Sequence, residues 1–321
     1  MMQRQGCAQL ILFTTLRHLS TEQPKCADLG NPKSALSSKE GDMSFIKQAI
    51  RKTPLYKPAR KLYRKFRNVP RHPLQDMPPV DGLNLVHLGT EYGGWMFLDD
   101  ASLNGCTIIS AGLGEDGSFD VEFADKYDAN VIIVDPTPRA IMHFRGMSER
   151  LGRPSDCGYS EGGRQPLGAY DLSHLGPESL TLVEKALWDE SMKLKFFEPA
   201  DPRHVSHSII NYQHEYSGAT SHIEVEAITL AELMADLNLE PKDIPLIKLD
   251  IEGAEIEVLT HAILTDGFRP RQILVEFDEL NVPSKRGFER VSTIHRLLTR
   301  SNYEMVCTNG QADFLYVRPE E

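Results

Sequence analysis

Four short runs of β-branched and apolar residues, each closed by a turn, limit what this chain can fold into. CTIISAG (106–112), NVIIVDPTP (130–138), LIKLDIEG (246–253) and QILVEFDE (272–279) are apolar on both alternating faces over most of their length. Only a strand covered on both sides can bury such a run. Between and after them, SFDVEFADKY (118–127), PRAIMHFRGMSERLG (138–152), AEIEVLTHAILTDG (254–267) and FERVSTIHRLLTRSN (288–302) carry apolar residues at helical spacing. HIEVEAI (222–228) reads as a further strand, and TLAELMADLNL (229–239) as a helix opened by a Thr229/Glu232 capping box. SLTLVEKALWDES (179–191) fits a helix or a hairpin, LKFFEPA (194–200) a strand, and HVSHSIINY (204–212) an extended piece. YEMVCTN and ADFLYVR flank Asn309-Gly310, a strong hairpin turn. Together these predict an α/β fold: a doubly wound, mostly parallel sheet with a C-terminal antiparallel hairpin.

Charge divides the chain unevenly. From Met43 to Arg71 there are ten Lys/Arg and no Asp or Glu, although the formal net charge of the whole chain is −11. The acidic balance argues against general nucleic-acid binding, which needs a broad basic face. The basic stretch reads either as a solvated helix pair or as an arm, 43–71, that touches anionic lipid or an acidic partner. Residues 1–42 read as disordered or as an over-extended start, 43–82 as a basic helical arm, and 83–321 as the main domain with 153–193 as an insertion. The five cysteines are scattered without metal spacing, as expected of reduced thiols in a cytoplasmic compartment. No apolar run reaches the ~20 residues of a bilayer span.

In such sheets the ligand lies beyond the carboxyl ends of the strands, and those ends are acidic here. The first run leads into SAGLGEDG (110–117), a Gly112/Gly114/Gly117 turn with Glu115 and Asp116 between its glycines. The second ends at Asp135, placed to accept hydrogen bonds from the two hydroxyls of an adenosine ribose. The third ends at Asp250 and Glu252, the fourth at Glu276. Glycine spacing alone suits a nicotinamide dinucleotide, and an NAD(P)-binding oxidoreductase is the runner-up reading. A dianionic pyrophosphate, however, is repelled by acids in its cradle. The sulfonium and ammonium of S-adenosylmethionine are attracted by them. The plainer role for Glu115 and Asp116 is to favour the N-terminus of the next helix. A catalytically silent module that docks through its basic arm is a third reading.

IKLDIEGAEIEVL (247–259) followed by ILVEFDE (273–279) resembles the signature of the FkbM-type methyltransferases, a Rossmann-like branch of the S-adenosylmethionine-dependent enzymes. IEVEAITLAEL (223–233), GLGEDGSFD (112–120) and VDPTP (134–138) share the likeness, which runs from Thr107 to Arg318. One departure is Ser110, where many methyltransferases have an acid at the end of the first strand; Glu115 or Asp116 would then supply the contact to the methionine part. The resemblance implies a methyl group passed to a hydroxyl of a sugar, polyketide or similar small molecule. Gly112, Gly114, Glu115, Asp116, Asp135 and Asp250 are the donor-binding candidates. Asp250, Glu252, Glu276, His204 and His207 are the candidates for the base that takes the acceptor's proton. No metal site is expected, because an extended HVSHS places His204 and His207 on opposite faces.

Overall fold

In the computed structural model the described residues are 70–197 and 222–319. The chain runs β1 (Leu85–Leu88), β2 (Trp95–Leu98), β3 (Thr107–Ala111), α1 (Ser118–Tyr127), β4 (Asn130–Val134), α2 (Pro138–Ser148), β5 (Leu180–Val183), β6 (Ala186–Leu187), β7 (Lys193–Phe197) and β8 (His222–Ile228). It continues through α3 (Leu230–Asp236), β9 (Leu246–Leu249), α4 (Glu255–His261), β10 (Gln272–Glu276), α5 (Lys285–Arg300), β11 (Glu304–Thr308) and β12 (Asp313–Val317). Seven strands form the main sheet in the order β11-β12-β10-β9-β3-β4-β5. Pairings within β10-β9-β3-β4-β5 are parallel, and β12 enters antiparallel to both neighbours.

Side-chain alternation explains why these strands are apolar throughout. Ile109, Ala111, Ile132, Val134, Ile247, Leu249, Ile273 and Val275 pack into one core with Leu233 of α3, Val258 of α4 and Val291 of α5. Their neighbours Ile108, Val131, Ile133, Leu246 and Leu274 pack into a second core with Phe119 and Phe123 of α1 and Phe97 of β2. Successive residues serve opposite faces, so both must be apolar. The Thr229/Glu232 capping box opens α3 as expected. The helix foreseen over 254–267 is instead α4 followed by a π-helical turn, Ala262–Asp266, closed by Gly267 at φ 67°.

Two expected boundaries move. Residues 70–82 belong with the main domain rather than with a basic arm. Leu74 is buried in the first core, Arg71 donates to the carbonyls of Gln75 and Gly310, and Val80 N–H donates to Val306 O. Within 153–193, Leu180–Val183 is the edge strand β5 of the main sheet, paired to β4, and is framework rather than insertion. The alternatives left open for 179–191 resolve into two strands in different sheets, since β6 joins β8 and β7 in a smaller three-stranded sheet. The basic stretch up to Val69 and the 204–212 piece lie outside the described residues. No helix among the described residues is long and apolar enough to cross a membrane.

Candidate active site

The sheet order places β3 between β4 and β9, so the chain leaves β3 in one direction and returns on its other side. This is a topological switch point, where a crevice opens beyond the strand ends. The glycine turn after β3 sits in it. Gly112 has φ 89°, and a methyl group built on it would collide with the carbonyl of Asp250, lying 2.8 Å from its carbon. Glycine is therefore required by both conformation and space. Gly114 has φ 57° but open space around the same position.

Asp135 holds this turn. Its Oδ2 accepts from the amides of Leu113 (2.9 Å) and Gly114 (3.0 Å), and its Oδ1 from the amide (2.9 Å) and hydroxyl (2.7 Å) of Thr137. Four donors use the accepting capacity of the carboxylate. In this structure the carboxylate anchors the loop.

The loop acids are also committed inward. Glu115, buried, forms ion pairs with Arg139 (2.5 Å) and Arg164 (3.3 Å). Asp116, buried, accepts from Thr90 Oγ1 (2.7 Å), Gln165 Nε2 (3.0 Å) and the Ser118 amide (3.1 Å). Neither acid is a bare charge aimed at a ligand, since each has partners within the protein. Two of those partners, Arg164 and Gln165, come from the 153–178 segment. Gln165 N–H donates to Glu115 O, and the Tyr170 hydroxyl, bonded to His143 Nε2 (2.7 Å), accepts from Gly117 N–H (3.0 Å).

On the other side of β3, the chain after β9 turns sharply. Asp250 N–H donates to Ala111 O, joining the two strand ends. Glu252 and Gly253 follow in the left-handed region, at φ 57° and 101°. A non-glycine residue there is strained, and such strain clusters at functional sites. The buried carboxylate of Glu255 stabilises the turn by accepting from Ile251 N–H (2.8 Å) and Gly253 N–H (3.1 Å). Burial, with Asp278 and Glu279 nearby, pushes the Glu255 carboxyl well above the usual range. Beneath the crevice the buried Lys248 donates to Gly112 O and lies 5.9 Å from the centre of the Trp95 ring. Its charge opposes the upward push that burial gives the Asp120 carboxyl.

Glu276 ends β10, directly across the ladder from Asp313 of β12. Its carboxyl accepts from Asn281 Nδ2 (2.8 Å) and is pushed well up by burial and by Asp250, Asp313 and Asp278. The Asp313 carboxyl is pushed up to about 7 by burial and Asp250, with Lys248 opposing. The structure thus gathers Asp250, Glu276 and Asp313 into one electrostatic group. His204 and His207 lie outside the described residues. Among the described residues no group of three or more His, Cys, Asp or Glu is arranged to hold a metal ion.

Several contributors had no local sequence signal. Thr90, Arg139, Arg164, Gln165 and Asp313 reach the site from separate segments, and none falls within the glycine turn or the strand ends first singled out. The same holds for Tyr92, at the tip of the β1–β2 loop, whose side chain rests against Gly163.

The profile of the methyltransferase FkbM domain matches residues 99–305. No curated protein matches the chain. Among solved structures, methyltransferase FkbM from Methylobacillus flagellatus KT is 10% identical with a TM-score of 0.38, over 67% of this chain and 44% of that one. The Methanococcus jannaschii fibrillarin pre-rRNA processing protein is 9% identical with a TM-score of 0.35, over 77% and 86%. A fibrillarin/Nop5p complex gives 10% and 0.34, over 67% and 73%. This chain therefore spans less than half the length of the first of these structures. With the profile covering more than half of its residues, including the glycine turn and the acidic strand ends at Asp135, Asp250 and Glu276, the chain belongs to the FkbM methyltransferase family.

Proposed function

We propose that the protein uses S-adenosylmethionine to methylate a hydroxyl group of a small molecule such as a sugar or polyketide. The observation that carries the choice of donor is the Asp135 carboxylate on the Leu113 and Gly114 amides. A pyrophosphate needs those N–H groups for itself and no carboxylate beside them. A donor without phosphates has no such need.

When bound, the donor supplies a methyl carbon on a positive sulfur leaving group. Gly112, Gly114, Glu115, Asp116 and Asp135 build the donor side of the crevice. Glu115 and Asp135 act by holding the turn in shape. Asp250 stands where the turn meets the β9 end, and with Glu252 and Glu276 it faces the acceptor. As the acceptor oxygen forms its new bond to carbon, its proton passes to a carboxylate of this group. A carboxyl whose affinity for protons is raised, as at Glu276, is the stronger base in its ionised form. Holding both reactants in line supplies most of the acceleration, roughly 7–11 kcal/mol for well-oriented partners. His207 remains a second base candidate by its place in the sequence.

Calorimetric titration with S-adenosylmethionine and S-adenosylhomocysteine tests the donor; absence of heat at high micromolar ligand overturns it. Incubation with methyl-labelled donor and a panel of polyhydroxylated compounds tests the acceptor atom. Label is expected on an ether oxygen, and label on nitrogen or carbon refutes the hydroxyl assignment.

A further inference from the structure

The inward commitment of Glu115 and Asp116 leaves a question: which group outside the glycine turn meets the donor's positive sulfur? We propose that Tyr92 does, its ring forming the aromatic wall of the donor site over the glycine turn. The inference rests on the donor assignment above.

The β1–β2 loop reads GTEYGG (89–94), and its glycines let it press onto the start of α1. A methyl group on Gly93 would lie 2.7 Å from Asp116 Cγ, and one on Gly89 2.9 Å from the Phe119 amide nitrogen. Thr90 pins the tip. Its Oγ1 accepts from the amides of Tyr92 (3.2 Å) and Gly93 (3.0 Å) and donates to Asp116 Oδ2 (2.7 Å), while its N–H donates to Ser118 Oγ (2.9 Å). Asp116 thereby fixes the backbone that carries Tyr92.

A second support comes from the opposite side. A methyl group on Gly163 would lie 2.5 Å from Tyr92 Cζ and 2.9 Å from its hydroxyl, so the ring rests on bare backbone. The residues next to Gly163 are fastened to the glycine turn by the Arg164–Glu115 ion pair and by the Gln165-to-Glu115 backbone hydrogen bond of 2.9 Å. Both supports of Tyr92 are therefore anchored on the Glu115-Asp116 pair. Yet Tyr92 is 65% exposed, an open placement for a large ring whose backbone is pinned and whose phenol end is seated on Gly163.

The surroundings suit a cation. Loss of water where the phenol end packs against Gly163, together with the charges of Asp250, Glu252, Glu276 and Asp116, pushes the phenol up to about 12, so it stays neutral at physiological pH. A neutral aromatic ring among carboxylates offers a positive sulfur the negative face of its π-system. The same ring gains nothing comparable from an uncharged thioether.

That difference is the test. The affinities of S-adenosylmethionine, which is cationic at sulfur, and S-adenosylhomocysteine, which is not, are measured by calorimetry on the full chain, its Tyr92→Phe variant and its Tyr92→Leu variant. Tyr92→Leu is expected to weaken S-adenosylmethionine roughly three- to tenfold more than S-adenosylhomocysteine. Tyr92→Phe, which keeps the ring, is expected to hold the wild-type ratio. Equal weakening of both ligands by Tyr92→Leu, or none, assigns Tyr92 a merely structural role or no role and overturns the inference. Binding of neither ligand by the wild type overturns the donor assignment itself.

Discussion

Replacing the two glycines of the turn, one at a time, by alanine separates backbone strain from steric exclusion at the centre of the site. Gly112 and Gly114 both have positive φ, 89° and 57°, and alanine in the left-handed region costs about 1–2 kcal/mol. At Gly114 that is the whole penalty, because the new methyl meets nothing within 4 Å. At Gly112 the methyl runs into the carbonyl of Asp250. This is backbone rather than a flexible side chain, and it is held on both sides. Asp250 N–H donates to Ala111 O at 3.1 Å and Gly112 N–H to Val134 O at 3.0 Å. Relief requires parting β3 from β9, so an overpacking cost of about 1–3 kcal/mol adds to the strain. Gly112→Ala is expected to lose about 2–5 kcal/mol, against about 1–2 kcal/mol for Gly114→Ala. Urea denaturation of both variants, with midpoints compared at unchanged slope, measures the difference. Equal losses, or a Gly112→Ala loss under about 1 kcal/mol, would refute the steric reasoning.

Arg290 of α5 pairs with Glu257 (2.9 Å) and with Glu279 (3.0 Å), whose side chain is 0% exposed. Arg290→Met, which leaves that buried charge unpaired, is expected to destabilise by about 3–5 kcal/mol in the same assay; a loss below about 1 kcal/mol contradicts it. Because the fold favours the protonated form of Asp313, the stabilisation tied to its proton is full below about pH 4 and is lost as pH rises through about 7. Asp313→Asn is therefore expected to gain on the wild type in melting temperature between those limits, and a gap that does not change with pH excludes the coupling. Asp135→Ala removes four hydrogen bonds from the turn. It is expected to weaken S-adenosylmethionine binding by about 1–3 kcal/mol and to lower the melting temperature as well. Weaker binding at unchanged stability would instead point to direct contact with the ribose.

Periodicity alone determined the framework. Buried runs such as NVIIV and QILVE can only be covered strands, and the Thr229/Glu232 and Asn309-Gly310 signals act within four residues of chain, so they read correctly in isolation. The family motifs marked the candidate site, because the strand ends that carry them also terminate those runs. Tertiary structure alone decided what the charged groups do there. Whether Glu115 is a free charge depends on Arg139 and Arg164, and whether Asp135 faces a ligand or its own loop depends on how closely β4 lies beside β3. Leu180–Val183 joined the main sheet only because the edge of β4 was open to it. A local pattern reports what a residue can do with its neighbours in sequence. Which donor satisfies a buried carboxylate depends on the distant segments that the fold brings within about 3 Å.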